Sequence, residues 1–142
     1  DEMDTYVNKK SGLLGVSGIS NDFRDIEEAM DNGNERAQLA YDMFVLRAKK
    51  YIGAYYAELD GCDAIVFTAG IGENDDRVRA SICENFDALG IAVDPAKNDG
   101  CREMRDISAD GAKVRAFVIP TNEEYAIATE TMEAVQEAGL VK

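Results

Sequence analysis

The sequence predicts an α/β fold in which an incomplete parallel sheet is flanked by helices. Two short, continuous apolar runs, "DAIVFTA" and "RAFVIP", have the composition of strands buried on both faces. Each is followed by a turn and then by a segment with helical apolar spacing, and strands joined through helices usually lie parallel in one sheet. Only two or three strands are legible in the chain, so the sheet is expected to be thin, with further strands lying outside this chain.

The elements follow in order. Residues 1–20 read as a polar start and then "SGLLGVSGIS", a glycine-rich, partly extended segment. Ser20, Asn21 or Asp22 is placed to cap a short helix that runs to about Asp31. "DNGN" (31–34) is a turn signal. A long helix is expected from about Glu35 to Leu59. Its stripe of Ala37, Ala40, Tyr41, Phe44, Ala48, Ile52 and Tyr55 has the spacing of one helix face.

"GCDAIVFTA" gives the first strand, and the glycine loop "GIGEN" follows it. A helix is expected from about Asp75 to Leu89, with Val78, Ile82, Phe86 and Leu89 inward. "GIAVD" (90–94) reads as a short strand, 95–112 as an exposed polar connection, and "KVRAFVIP" (113–120) as the second buried strand. "TNEEYAIATETMEAVQEAGL" is the last helix, ending near Gly139.

Bulk properties narrow the function. The length, 142 residues, suits one domain, and 46% apolar residues suit a globular chain. With 28 acidic and 15 basic residues the net charge is −13, which argues against nucleic acid and anionic membranes as partners. A nucleotide is not excluded, because backbone amides and a metal ion can hold its phosphates. No apolar run approaches the roughly 20 residues of a membrane span. Three scattered cysteines (Cys62, Cys83, Cys101) suit a reducing compartment, so a cytoplasmic location is expected. There is no histidine, which removes histidine acid–base catalysis and histidine-ligated metals from this chain. The first residue is Asp1, and the chain is expected to be a piece of something longer.

If the two strands are parallel, "GIGEN" and "TNEE" leave the same carboxyl edge of the sheet, where open α/β sheets bind ligands. In "GIGEN" (70–74), glycine permits close backbone approach, and Asn74 is placed to cap the next helix and expose its N–H groups. It is neither a P-loop, which needs a lysine, nor a dinucleotide fingerprint, since Asp75 stands at the third glycine. Two readings remain: a nucleotide loop, or a tight strand-to-helix turn. In "PTNEE", Thr121 and Glu124 fit a capping box, which leaves Glu123 either as a magnesium ligand or as a first-turn acid favoured by the helix dipole. In "SNDFRD", Phe23 and Arg24 can stack on a flat ring and Asp22 can accept from a ribose. The alternative is a capped helix with a buried Phe and a surface Asp–Arg pair. Tyr41, Tyr51, Tyr55 and Tyr56 read as core or subunit contact.

Together the segments are more specific than any one alone. "NKKSGLLGVSGISNDFRDIEEA", "DAIVFTAGIGEN" with "VR" four residues on, and "VIPTNEE" occur here in order. This set resembles the C-terminal part of the acetate and propionate kinase family, over nearly the whole chain. The resemblance implies an actin-like (ribonuclease H-like) ATPase domain, of the type found in sugar kinases and heat-shock chaperones. It implies reversible, Mg²⁺-dependent phosphoryl transfer from ATP to acetate, giving ADP and acetyl phosphate. It places Asp22, Phe23 and Arg24 at the adenosine. It places Gly70, Ile71, Gly72, Glu73 and Asn74 at the nucleotide, and Glu123 at the metal. A homodimer is implied for the complete enzyme.

The resemblance also implies that residues 1–142 are the C-terminal, nucleotide-binding part. The family's catalytic arginines, aspartate and histidine and its acetate pocket fall upstream. No catalytic residue is therefore assigned here, not even to Arg24, Arg77 or Arg79, and the chain is expected to be inactive alone. Propionate or another short-chain carboxylate is the alternative substrate, and a stand-alone nucleotide-binding or dimerisation module is the alternative role. One departure is visible: the family usually has two glycines before the isoleucine, and here the first is Ala69.

Overall fold

The computed structural model describes residues 2–140. The elements are α1 (Glu2–Lys9), α2 (Gly12–Ser17), α3 (Phe23–Asp31), α4 (Glu35–Glu58), β1 (Ala64–Phe67), α5 (Ala69–Asn74) and α6 (Asp76–Cys83), followed by a 3₁₀ turn (Asp87–Leu89), α7 (Pro95–Asn98), β2 (Arg105–Asp106), β3 (Arg115–Val118) and α8 (Glu123–Glu137).

The sheet has the order β1-β3-β2. β1 and β3 are parallel, with Ala64 opposite Arg115 and Phe67 opposite Val118, as the sequence predicts. β2 is antiparallel to β3 and makes the sheet mixed. It lies in the stretch read as an exposed connection. Burial of the next residue, Ile107, whose N–H bonds Ala116 O at 2.8 Å, helps to hold it there, with ion pairing and side-chain hydrogen bonding. Asp106 pairs with Arg115, and the Ser108 hydroxyl accepts from Ala116 N–H at 2.7 Å. "GIAVD" contributes two isolated bridges, Ile91 to Val114 and Val93 to Ser108.

Helices α2, α3 and α6 pack on α4. Their shared core includes Ile26, Ala37, Ala40, Tyr41, Val78 and Ile82, and it continues into Ile91, Ile107, Val114, Ala116 and Val118 at the sheet. The α4 boundaries match the sequence reading, and Asn34 caps the helix by accepting from Arg36 N–H and Ala37 N–H. Its stripe is displaced at the far end, where Tyr55 is exposed and Tyr56 half-buried.

Three further readings are corrected. The first 20 residues hold two helices where an extended segment was expected. Leu13 and Val16 of α2 pack against the core, and Arg36 donates from Nε to Val16 O at 2.8 Å, so tertiary contact overrides weak propensity. The helix after the glycine segment ends at Cys83, because Asn85 adopts φ 61° and Lys49 donates to the Glu84 carbonyl at 2.5 Å. β1 is covered on one face only: Ala64 is exposed, Val66 is 51% exposed, and Phe67 is buried. It is an edge strand, with β3 on one side.

Candidate functional site

Phe67 and Val118 end the two parallel strands side by side, and Ile119 N–H bonds Phe67 O at 3.0 Å. The segments that follow therefore open on one edge of the sheet. The glycine segment is not a loop but the six-residue helix α5, with Thr68 at its N-cap. Contrary to expectation, Asn74 does not cap the next helix. Its Nδ2 donates back to Gly70 O at 2.8 Å, and Asp75 caps α6 by accepting from Val78 N–H at 2.9 Å.

Two clefts meet at Gly70. The larger, about 920 Å³, is lined by Asp22, Phe23 and Arg24 from the start of α3 and by Gly70, Ile71 and Asn74 from α5. The smaller, about 430 Å³, is lined by Ala69, Gly70 and residues 121–124, Glu123 among them. Residues far apart in the sequence, from Asp22 to Glu123, are thus brought along one path. Two of the expected residues line neither cleft. Gly72 packs on the backbone before it, where an added Cβ would sit 3.2 Å from the Phe67 carbonyl carbon. The Glu73 carboxylate takes Thr121 N–H at 2.7 Å and Thr121 Oγ1 at 3.0 Å. Those Thr121 hydrogen bonds, with one from Ala69 N–H, hold the Glu73 carboxyl below its usual range.

The Thr121–Glu124 capping box is not formed. Asn122 caps α8 by accepting from Tyr125 N–H at 3.1 Å, while Thr121 is taken by Glu73. The elimination that freed Glu123 by assigning Glu124 to the box therefore fails. Glu123 and Glu124 are both exposed in the first turn of α8 and both line the smaller cleft. Magnesium binds through one or two carboxylates together with phosphate and water, so this donor set fits it. Among the described residues no group of three or more acidic, cysteine or histidine side chains forms a complete protein cage for a metal.

At the other end, burial describes Phe23 better than stacking. Its ring is 6% exposed and packs on Phe44 at 4.8 Å and Tyr41 at 5.6 Å between centroids. Asp22 caps α3, accepting from Arg24 N–H and Arg24 Nε at 3.0 Å and from Nη2 at 2.6 Å. The Arg24 hydrogen bonds lower the Asp22 carboxyl to about 2, so it is ionised at neutral pH.

Sequence reading missed Glu27 and Arg102, which also line the larger cleft. Glu27 lies one helical turn beyond Phe23, and the i, i+4 spacing was the available signal. Burial, and then the nearby Asp75 carboxylate, raise the Glu27 carboxyl. Arg102 sits in the stretch read as a connection, where nothing marked it. Arg77 pairs with Asp31 at 2.8 Å and lies 5.7 Å from the centre of the Tyr41 ring. Burial pushes the Cys83 thiol up to about 12, which removes it as a nucleophile at neutral pH.

Comparison with known proteins decides the family: the model of the acetokinase family matches residues 1–129. The chain belongs to the acetokinase family. It is 58% identical to an acetate kinase of Moorella thermoacetica over 135 residues, which is 95% of this chain and 34% of that protein. The crystal structure of Porphyromonas gingivalis acetate kinase superposes with a TM-score of 0.85 at 48% identity, covering 92% of this chain and 33% of that one. A propionate kinase structure from Francisella tularensis superposes with a TM-score of 0.77 at 36% identity, covering 87% of this chain and 31% of that one. The chain thus spans about a third of the length of the acetokinase relatives it matches. Its α/β fold, helices around a small sheet, is that of the acetate kinases. Among the described residues no helix is long and apolar enough to cross a membrane.

Proposed function

We propose that this chain supplies the nucleotide and magnesium half of an acetate kinase site. The observation that carries the reading is the junction at Gly70, where a cleft lined by residues 22–24 runs into a cleft lined by residues 121–124. A nucleoside would occupy the larger cleft, against Asp22, Arg24, Ile71 and Asn74. The phosphates would pass Gly70, where a Cβ would meet no atom within 4 Å beyond its chain neighbours and its own helix backbone. Glu123, with Glu124 beside it, would hold Mg²⁺, which neutralises phosphate charge that the acidic chain cannot. In-line transfer between a nucleotide and acetate needs positioning and charge neutralisation. Arg24, Arg77 and Arg79 are each committed to other contacts and are not assigned to that role. The arginines that would serve, and the acyl pocket, belong to a part of the site that this chain does not hold. The open edge of β1 and the exposed face of α8 would be covered by that part.

A test uses the hydroxamate assay for acetyl phosphate. The purified chain alone is expected to give none above background. The full-length protein as encoded is expected to give it with Mg²⁺ and ATP, and Glu123→Ala is expected to abolish it. Acetyl hydroxamate made by the chain alone, free of contaminating kinase, would contradict the half-site reading. Faster turnover of propionate than of acetate by the full-length protein would move the assignment to a propionate kinase, as the Francisella tularensis neighbour is named.

A dimerisation role has its own support. Leu39, Met43 and Leu46 are each about half exposed on the side of α4 opposite its buried stripe, and Met43, Leu46 and Tyr51 line a surface groove there. Exposed apolar side chains grouped in this way mark an interaction surface. In this reading two copies meet along α4, away from the clefts, and the protein is a homodimer. Binding of nucleic acid or membrane is not part of the function, given a net charge of −13.

A further inference from the structure

Among the described residues the buried charge is Arg79, which is 0% exposed. A guanidinium offers five N–H groups in a fixed fork, and burying it is costly unless they are met. All five are met, and no carboxylate meets them. Nε donates to Asn98 Oδ1 at 2.7 Å. One terminal nitrogen donates to Gly72 O at 3.0 Å and Glu73 O at 2.9 Å, and the other to Asn98 O at 3.1 Å and Cys101 O at 2.9 Å. Burial pulls the guanidinium below its ordinary value, yet an arginine in a protein stays charged.

The carbonyls it takes explain its place. Gly72 and Glu73 lie at the C-terminal end of α5, where a helix has unpaired carbonyls and partial negative charge. The same Glu73 extends its carboxylate the other way, to Thr121 N–H at 2.7 Å and Thr121 Oγ1 at 3.0 Å. A continuous set of hydrogen bonds therefore runs from Arg79 through one residue of α5 to the segment that carries Glu123. Arg79 itself lines neither cleft.

Resting on the nucleotide reading above, we propose that Arg79 is a positioning residue. It fixes the Gly72–Glu73 peptide, and Glu73 in turn holds residues 121–123 at a set distance from Gly70. The relation between the nucleotide cleft and the carboxylates of the smaller cleft is thereby fixed before any ligand arrives. A buried arginine that only filled space would affect stability and leave that relation unchanged in molecules that remain folded.

The test uses Arg79→Lys, Glu73→Gln and the double variant in the full-length protein as encoded. Two readouts are taken on folded protein: affinity for a fluorescent ADP with Mg²⁺, and hydrogen exchange of residues 119–124. Lysine keeps the charge but loses the fork. Glu73 is only half-buried, so its variant is expected to keep the fold even where Arg79→Lys does not. Each single change is expected to weaken Mg²⁺-dependent binding about tenfold. Each is also expected to speed exchange in 119–124, and the double variant to add little, as for residues acting in series. Wild-type affinity and wild-type exchange in either folded single variant overturn the proposal, as do fully additive effects. If the wild-type protein binds no Mg²⁺-nucleotide, the nucleotide reading fails separately. The exchange then decides alone: residues 119–124 unchanged in Glu73→Gln and in Arg79→Lys overturn the positioning role.

Discussion

Ala69 holds a backbone that favours glycine. Its φ of 58° lies in the left-handed region, where a Cβ crowds the following carbonyl. The sequence showed alanine where the resembling family usually has glycine, but it could not show the sign of φ. Ala69→Gly is expected to relieve that strain. Part of the gain is lost to the greater freedom of glycine in the unfolded chain, so a net stabilisation of about 0.5 kcal/mol is expected. A urea unfolding midpoint measures it, and a lower midpoint for the glycine variant would count against a strained Ala69. Other residue-scale features were legible only in part. Asp22 was one of three cap candidates, and it is the cap. The Thr121–Glu124 box was a sound local pattern that lost to Glu73, a partner 48 residues away in the chain. Sequence spacing displays local competitors for a hydrogen bond and hides distant ones. Arg79 shows the same limit: "VR" after the glycines was visible as a motif, but the bonds it makes go to residues whose nearness is tertiary.

At the scale of elements, periodicity served where it was long. Helix α4 was placed almost to the residue because 24 residues repeat one pattern and Asn34 marks its start. The parallel pairing of β1 with β3 followed from apolar runs joined through helices. Short elements were not legible. α5 carries two glycines, each costing about 1 kcal/mol against alanine in a helix. It is helical because Phe67 packs closely on Gly72 and Arg79 meets its last carbonyls. β2 is the dipeptide Arg105–Asp106, polar and too short to have a period. The exposed side of α4 was visible only as the complement of its buried stripe. If two copies meet there, Leu46→Glu is expected to convert a dimer into a monomer and leave nucleotide affinity within about twofold, since the residue lines neither cleft of the candidate site. Sedimentation velocity of the two proteins checks this, and an unchanged dimer would remove α4 from the interface.

For the whole molecule, the fold and family were legible because three motifs in fixed order span most of the chain, and comparison bears this out at 58% identity. The route by which the two halves of the candidate site communicate was not, since it depends on side chains that meet only after folding. The molecule is a third of an acetokinase in length, with a one-sided edge strand β1 and an exposed α8, and the two clefts share Gly70. The central claim is that those clefts form one nucleotide path through Gly70. Titration of the full-length protein with a fluorescent ADP and Mg²⁺, wild type against Gly70→Ala, tests it most directly. The Cβ at position 70 has open space and alanine favours a helix, so the variant is expected to keep or raise its unfolding midpoint while losing affinity by about tenfold. Equal affinity of the two folded proteins would contradict a path through Gly70.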